Sequence, residues 1–484
     1  MNVAMLIATV LGYAVLLFLL AWRVETRGRA LSASLRRPSY ALALAVYCTS
    51  WTFYGAVGSA VASGWDYLPI YLGPILVWLF GIRFLERLVK TAKADGATSI
   101  SDFIGARFGK SRGVAALVTL IALTGTIPYL ALQLRSIGTS FGVITDRLDP
   151  GMPMAVTAAA LALFAIAFGT RRYDAAARND GVLVAISVES LVKLAAFVAA
   201  GLFALIAFGG AGAARQAAGL AELGRLFAPA SLDGDFLIIT ALSAMAIVCL
   251  PRQFYIGVIE AASPADVRAA RWPFAIYLAL TALIVLPIAL AGISLAPAGA
   301  RADLLVLSLP LASGAEALAL FVFVGGVSAA TGMVVVESIA LSTMISNDLV
   351  APLLLRDPRW AGERDFGRAM LVVRRLVIAG LLGTAFLYAQ LIPANESLAS
   401  IGLIAFAAMA QFAPALLLAV TGENRDALAA KAGLVGGLLL WLWTLALPMV
   451  LPPALLAPLD GGLVDPNALL GIGGMSPIAH GTLW

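Results

Sequence analysis

Twelve apolar stretches, each the length of a helix through a hydrocarbon core about 30 Å thick, constrain what this chain can fold into. They cover residues 3–21, 40–62, 68–88, 114–141, 153–169, 182–208, 235–256, 273–294, 315–345, 371–392, 398–420 and 432–452. Of 484 residues, 61% are hydrophobic and only 12% are charged, against about 25% charged in soluble domains. Inside a bilayer no water pairs the backbone, so spans of this kind are helices. The sequence therefore predicts an all-α polytopic membrane protein. The connections set its orientation. Segments 22–39, 83–113, 169–181, 252–272, 346–375 and 421–431 hold 26 of the 32 lysines and arginines. They are alternate connections, so all lie on one side, and the positive-inside rule makes that side cytoplasmic. The N-terminus and residues 453–484 are then predicted outside. Met1 to Trp22 lacks a basic leader and a small-residue cleavage site, and reads as a retained first helix.

Several function classes drop out. The net charge of +5 sits in those connections, with no interleaved basic and aromatic patch, so nucleic acid is not a predicted partner. The two cysteines, Cys48 and Cys249, both fall in apolar spans, which excludes a disulfide framework or a cysteine-rich zinc site. The one histidine, His480, excludes histidine metal sites and Ser-His-Asp triads within the chain. No metal, cofactor or catalytic residue is predicted. An integral-membrane enzyme is disfavoured because no connection clusters His, Asp and Glu. Transport or sensing of a small solute among membrane lipids remains.

The stretch from Tyr40 to Ala62 is uncharged, yet its middle holds Cys48, Thr49, Ser50, Thr52, Tyr54, Gly55 and Gly58. Polar groups at mid-bilayer are costly unless they face protein, water or ligand. Broken helices at that depth hold substrate in many secondary transporters; the alternative is a helix packed by small residues. Ser99 or Ser101 is placed to cap a short helix ending near Gly109. Segment 209–234 reads as a short surface helix. Pro251 breaks span seven, expected near the inner face. Ser263-Pro264-Ala265-Asp266 reads as the cap and first turn of another helix. Span nine is long enough to run past the membrane.

Two charges share a face of span six: Glu189 and Lys193, four residues apart. An intramembrane charge is a functional hypothesis with its partner named; the competing reading is a mutually satisfied structural pair. Glu337 in span nine is a second isolated acid, functional or else partnered by a hydroxyl or an arginine elsewhere. For a solute, the interrupted span two offers Ser50, Trp51, Phe53 and Tyr54. Span four offers Tyr129 and Gln133, with Thr124 and Thr126 a turn or so earlier. Half-helix N-termini suit an anionic group such as an amino-acid carboxylate.

Four segments in order, TSISDFIGARFG, Gln133, LPRQFYIGVIEAAS and Gln411-Phe412-Ala413-Pro414, resemble the sodium/solute symporters of the PutP and sodium–glucose cotransporter family over about residues 40–420. That resemblance implies a LeuT-like fold: inverted five-helix repeats at about 40–208 and 235–420, with spans two and seven broken. Residues 1–39 and 421–484 would flank this core. The charge-derived topology agrees, because the two units begin on opposite sides of the membrane. YCTSWTFYGAVGSA, the ES-x-x-K of span six and GGVSAATGMVVVESIALSTM-x-x-NDL are also similar to the membrane domain of CbrA-type sensor kinases. This implies a bacterial inner-membrane location, an amino acid such as histidine as solute, and a cytoplasmic kinase with its response regulator as partners. That membrane domain has a thirteenth helix where this chain stops, so the sequence is expected to be a fragment. No kinase motif lies within it.

The family binds sodium with carbonyls of span two and paired hydroxyls of span nine. Here the family's acid falls on Tyr47 and its hydroxyl positions on Gly332 and Met333, with Ser328 and Thr331 out of register. These departures leave sodium possible and favour a proton, with the Lys193 ammonium where sodium would sit. Tyr47, Glu189, Lys193, Ser328, Thr331 and Glu337 are the candidate coupling residues.

Overall fold

The computed structural model describes residues 3–26, 31–145, 150–169, 179–229, 232–297, 299–356, 363–391, 398–422, 425–451, 453–459 and 461–484. Among these residues there are helices and no strands. Eight helices are each long and apolar enough to cross a membrane, and two bent pairs reach that length together. The remaining expected spans, three and five, correspond to the shorter Pro69–Phe80 and to Gly151–Gly169.

The two bent pairs carry the architecture. Span two is Ser34–Tyr47 followed by Trp51–Tyr67, turned by 69°. Span seven is Gly234–Cys249 followed by Pro251–Ile259, turned by 53°. Each opens a five-helix unit, so the protein is a LeuT-like fold of two inverted repeats with flanking helices. The second break follows from Pro251, which has no N–H to continue the helix and stands at the first turn of the next piece. The first break has no proline. Cys48 turns extended (φ −75°, ψ 99°), and helical geometry resumes through a π-type turn at Trp51–Gly55.

Several expectations are corrected here. The Pro251 break lies in the protein core, not near the inner face. Arg252, counted with the basic connection 252–272, is 1% exposed. Residues 263–266 do form a cap and first turn, with Ser263 at the cap and Pro264 at the first position, but the helix they start, Pro264–Leu295, is span eight itself. Span three does not continue straight to residue 88. It stops at Phe80, and after Gly81 an amphipathic helix, Ile82–Ala94, buries Leu85, Leu88, Val89 and Ala92. The short helix Ile100–Arg107 is capped by Ser99, whose hydroxyl accepts from the Asp102 N–H, and the 209–234 helix is Ala213–Leu226.

Small residues allow span nine, Glu316–Met344, to lie against the broken span two. A Cβ on Gly326 would collide with the Tyr54 phenol, and one on Gly325 with Ala196 and the Phe53 ring. Gly326→Leu is therefore expected to destabilise the fold by about 1–3 kcal/mol through overpacking, read as a lowered Tm in detergent. An unchanged Tm would show that this seam is not close-packed.

Candidate functional site

The break in span two exposes backbone and hydroxyl groups, and side chains from spans four and six meet them. The Lys193 ammonium, 4% exposed, donates to the carbonyls of Ala45 and Cys48, each at 2.6 Å. On the far side of the break, Gln133 Oε1 accepts from the Ser50 N–H at 3.1 Å and from its hydroxyl at 2.7 Å. The Tyr129 and Thr49 hydroxyls share a hydrogen bond of 3.0 Å. Tyr129 and Gln133 lie one turn apart on span four, so one helix face reads the whole break.

Trp51 packs edge-on against Phe406, with ring centroids 5.0 Å apart, and against Tyr129 at 6.4 Å. It also lines a cavity of about 530 Å³ with Ser59, Ser63, Asp66, Arg301 and Ser400. Those residues lie at the end of span two, in the connection 8–9 and in the first turn of span eleven, so the cavity lies on the face opposite the basic connections. On the basic face the elements are tied together. Arg36 pairs with Asp180 at 2.6 Å and donates to the Glu260 carbonyl. Asn179 donates to the Tyr255 hydroxyl, and the Asp348 carboxylate accepts from Ser101 and Thr119.

Of the six candidate solute residues, Ser50, Trp51, Tyr129 and Gln133 come together. Phe53 and Tyr54 do not join them. Phe53 packs on Phe197 at 5.0 Å, and Tyr54 lies against Gly326 of span nine. In a regular helix Ser50 and Tyr54 would share a face, and the π-type turn at Trp51–Gly55 changes which residues do. Thr124 bonds its own helix at the Ile121 carbonyl, whereas Thr126 reaches Glu337 at 3.2 Å.

The coupling candidates fall into separate groups. Among the described residues no ion pair joins Glu189 and Lys193, although they are four residues apart. Lys193 turns to the broken helix. Glu189 turns to span nine, where the Thr331 hydroxyl donates to its carboxylate and Ser328 donates to its backbone carbonyl at 2.8 Å. Tyr13 of span one shares a hydrogen bond with Ser328 at 2.7 Å. A Cβ on Gly332 would press on the same carboxylate, so Ser328, Thr331 and Gly332 enclose Glu189. The Tyr47 hydroxyl donates to the Ile70 carbonyl at 2.6 Å. Glu337, 0% exposed, pairs with Arg252 at 3.0 Å.

Arg252 is the residue that sequence reading missed. Its guanidinium lies over the Tyr129 ring, 4.6 Å from the centroid. A signal was present: an isolated acid in span nine requires a counter-charge, and Arg252 sits inside the apolar frame CLPRQFYI. Treating 252–272 as a loop hid it.

The whole architecture matches a solved Na+-coupled sialic acid symporter in its substrate-bound outward-open state, with a TM-score of 0.68, 15% identity, and coverage of 99% of this chain and 97% of that one. A manganese transporter of Eremococcus coleocola, in complex with an aromatic bis-isothiourea substituted compound, aligns with a TM-score of 0.47, 14% identity, and coverage of 84% and 86%; no argument rests on it. No family model matches the chain, and no curated protein matches it. The structural likeness establishes the fold: this is a multi-pass membrane protein with the architecture of a solute symporter.

Proposed function

We propose that residues 40–420 bind and translocate a small organic solute, an amino acid such as histidine, and that a proton is the coupling ion. The observation that carries the coupling is the Lys193 ammonium on the Ala45 and Cys48 carbonyls. A cation is built into the chain where span two is broken, on the Ala45 carbonyl, which also accepts from the Cys48 N–H, and on the Cys48 carbonyl beside it. The Ser328 and Thr331 hydroxyls, which would have to join those carbonyls around a sodium ion, are turned to Glu189 instead. Protonated, Lys193 ties span six to the broken helix. Loss of its proton weakens that tie and frees the half-helices to move.

The resemblance to CbrA-type proteins supports the finer reading: an input module for a cytoplasmic sensor kinase in a bacterial inner membrane. That part rests on sequence motifs alone, and the N-terminus outside rests on the charge of the connections. Uptake of labelled amino acids into proteoliposomes tests the transport reading. Accumulation driven by an inward proton gradient supports it; binding without uptake makes the protein a sensor that does not transport.

Orientation has its own test. Cys48 and Cys249 are both buried, so new surface cysteines can be read against the native background. Arg268→Cys lies on the basic face, with a side chain 73% exposed. It is expected to resist an impermeant thiol reagent applied to intact cells, while Ser313→Cys, exposed on the connection 8–9, reacts. Labelling in the reverse pattern overturns the topology.

A further inference from the structure

Arg252 holds more hydrogen-bonding capacity than the protein uses. Its Nη1 donates to Glu337 at 3.0 Å. Its Nε and Nη2 are buried and have no acceptor among the described residues. These two nitrogens form one edge of the guanidinium, where two N–H bonds point the same way and match the two oxygens of a carboxylate. The resident carboxylate cannot serve that edge, because Glu337 is held by Nη1 and by Thr126. The Tyr129 ring under the guanidinium fixes its plane.

A second orphan donor lies on the same face of span four. Gln133 is 0% exposed and its Nε2 has no partner among the described residues. The orientation of this amide follows from its surroundings: the Ser50 N–H can only donate, so the oxygen must face it and the NH₂ must face away. Buried donors without acceptors are rare in native proteins and call for an explanation. Here they come from two spans around one tyrosine, and all of them demand an acceptor.

We infer that the free edge of Arg252, with the Gln133 amide beside Tyr129, is a clamp for the carboxylate of the solute. This deepens the solute-binding reading above and rests on it. The demand is for acceptors: Glu337 balances the charge of Arg252 and Glu189 lies one turn from Lys193, while the free N–H groups of Arg252 and Gln133 need acceptor oxygens. Trp51 borders the 530 Å³ cavity and packs against Tyr129, so a solute entering from that cavity meets Trp51 first and the clamp behind it.

The test compares each acid with its amide. Purified full chain in detergent is titrated with the proteinogenic L-amino acids and simple mono- and dicarboxylic acids, each beside its primary amide, by thermal shift and calorimetry. The expected result is that an acid which stabilises the protein binds at least tenfold more weakly as its amide. Arg252→Gln alone strands the Glu337 carboxylate, so it is combined with Glu337→Gln. The double variant is expected to melt close to the parent and to lose at least tenfold in affinity, with Arg252→Lys intermediate. An amide that binds as well as its acid overturns the clamp and leaves solute binding standing. So does parent affinity in a folded double variant. Should that variant not fold, the acid–amide comparison decides alone. Stabilisation by none of the acids overturns both the clamp and the solute-binding reading.

Discussion

Lys193→Ala is expected to reduce proton-driven uptake to background while the protein still purifies as a folded, monodisperse species. The parent should take up solute equally well when choline replaces sodium, and should lose uptake when a protonophore collapses the gradient. The reason is local. The Ala45 and Cys48 carbonyls end the first half of span two, and the lysine gives each a charge-assisted hydrogen bond. Such bonds contribute about 1.5–3 kcal/mol apiece, enough to set the balance between two arrangements of the break. Alanine removes the donor and the titrating group together, so proton movement no longer biases that balance. Sodium is disfavoured at the same place by arithmetic. A sodium ion about 4 Å from the ammonium would be repelled by about 4 kcal/mol at an effective dielectric of 20. Uptake that rises with sodium at fixed pH, or full proton-driven uptake in Lys193→Ala, would sink this mechanism.

Glu337→Ala should be among the most damaging single changes in the core. Both members of the Arg252–Glu337 pair are buried, at 1% and 0% side-chain exposure. Removing one partner leaves an uncompensated buried charge, which costs about 3–5 kcal/mol. The loss is to be read by thermal and denaturant unfolding in detergent. Arg252→Met added to Glu337→Ala removes the stranded charge and is expected to recover much of it, because a buried pair and an apolar replacement are often similar in stability. The pair spans the second half of span seven and the middle of span nine, so the double-mutant cycle measures coupling between those elements. Additive losses in the two single variants would refute the pairing. Thr126→Val, which removes one neutral hydrogen bond to Glu337, should cost only about 1 kcal/mol.

Much of the candidate site was legible, and what was missed has a common cause. Ser50, Trp51, Tyr129 and Gln133 stood out because polar and aromatic side chains within apolar spans need partners. Phe53 and Tyr54 were grouped with them only by proximity in sequence. The π-type turn at Trp51–Gly55 sends them toward span nine, where Gly325 and Gly326 receive them. Glu189 and Lys193 looked like an i,i+4 pair. That spacing only permits contact, and each found stronger partners on a different neighbouring helix. Backbone carbonyls such as those of Ala45 and Cys48 are the same in every residue type, so their availability depends on where a helix breaks.

By itself the sequence determined that this chain is a helical membrane protein and the order of two related units. Those properties follow from apolar length and from the ordering of segments along the chain, and both are local. It also supplied the Pro251 break, because a missing N–H acts within one turn. Tertiary structure alone decided which charges meet. Lys193 joins a broken backbone, Glu189 joins the hydroxyls of span nine, and Arg252 lies buried between Glu337 and Tyr129. Inside a low-dielectric bundle a charge cannot turn to water, so each takes the best partner within reach, and reach is set by how the helices pack.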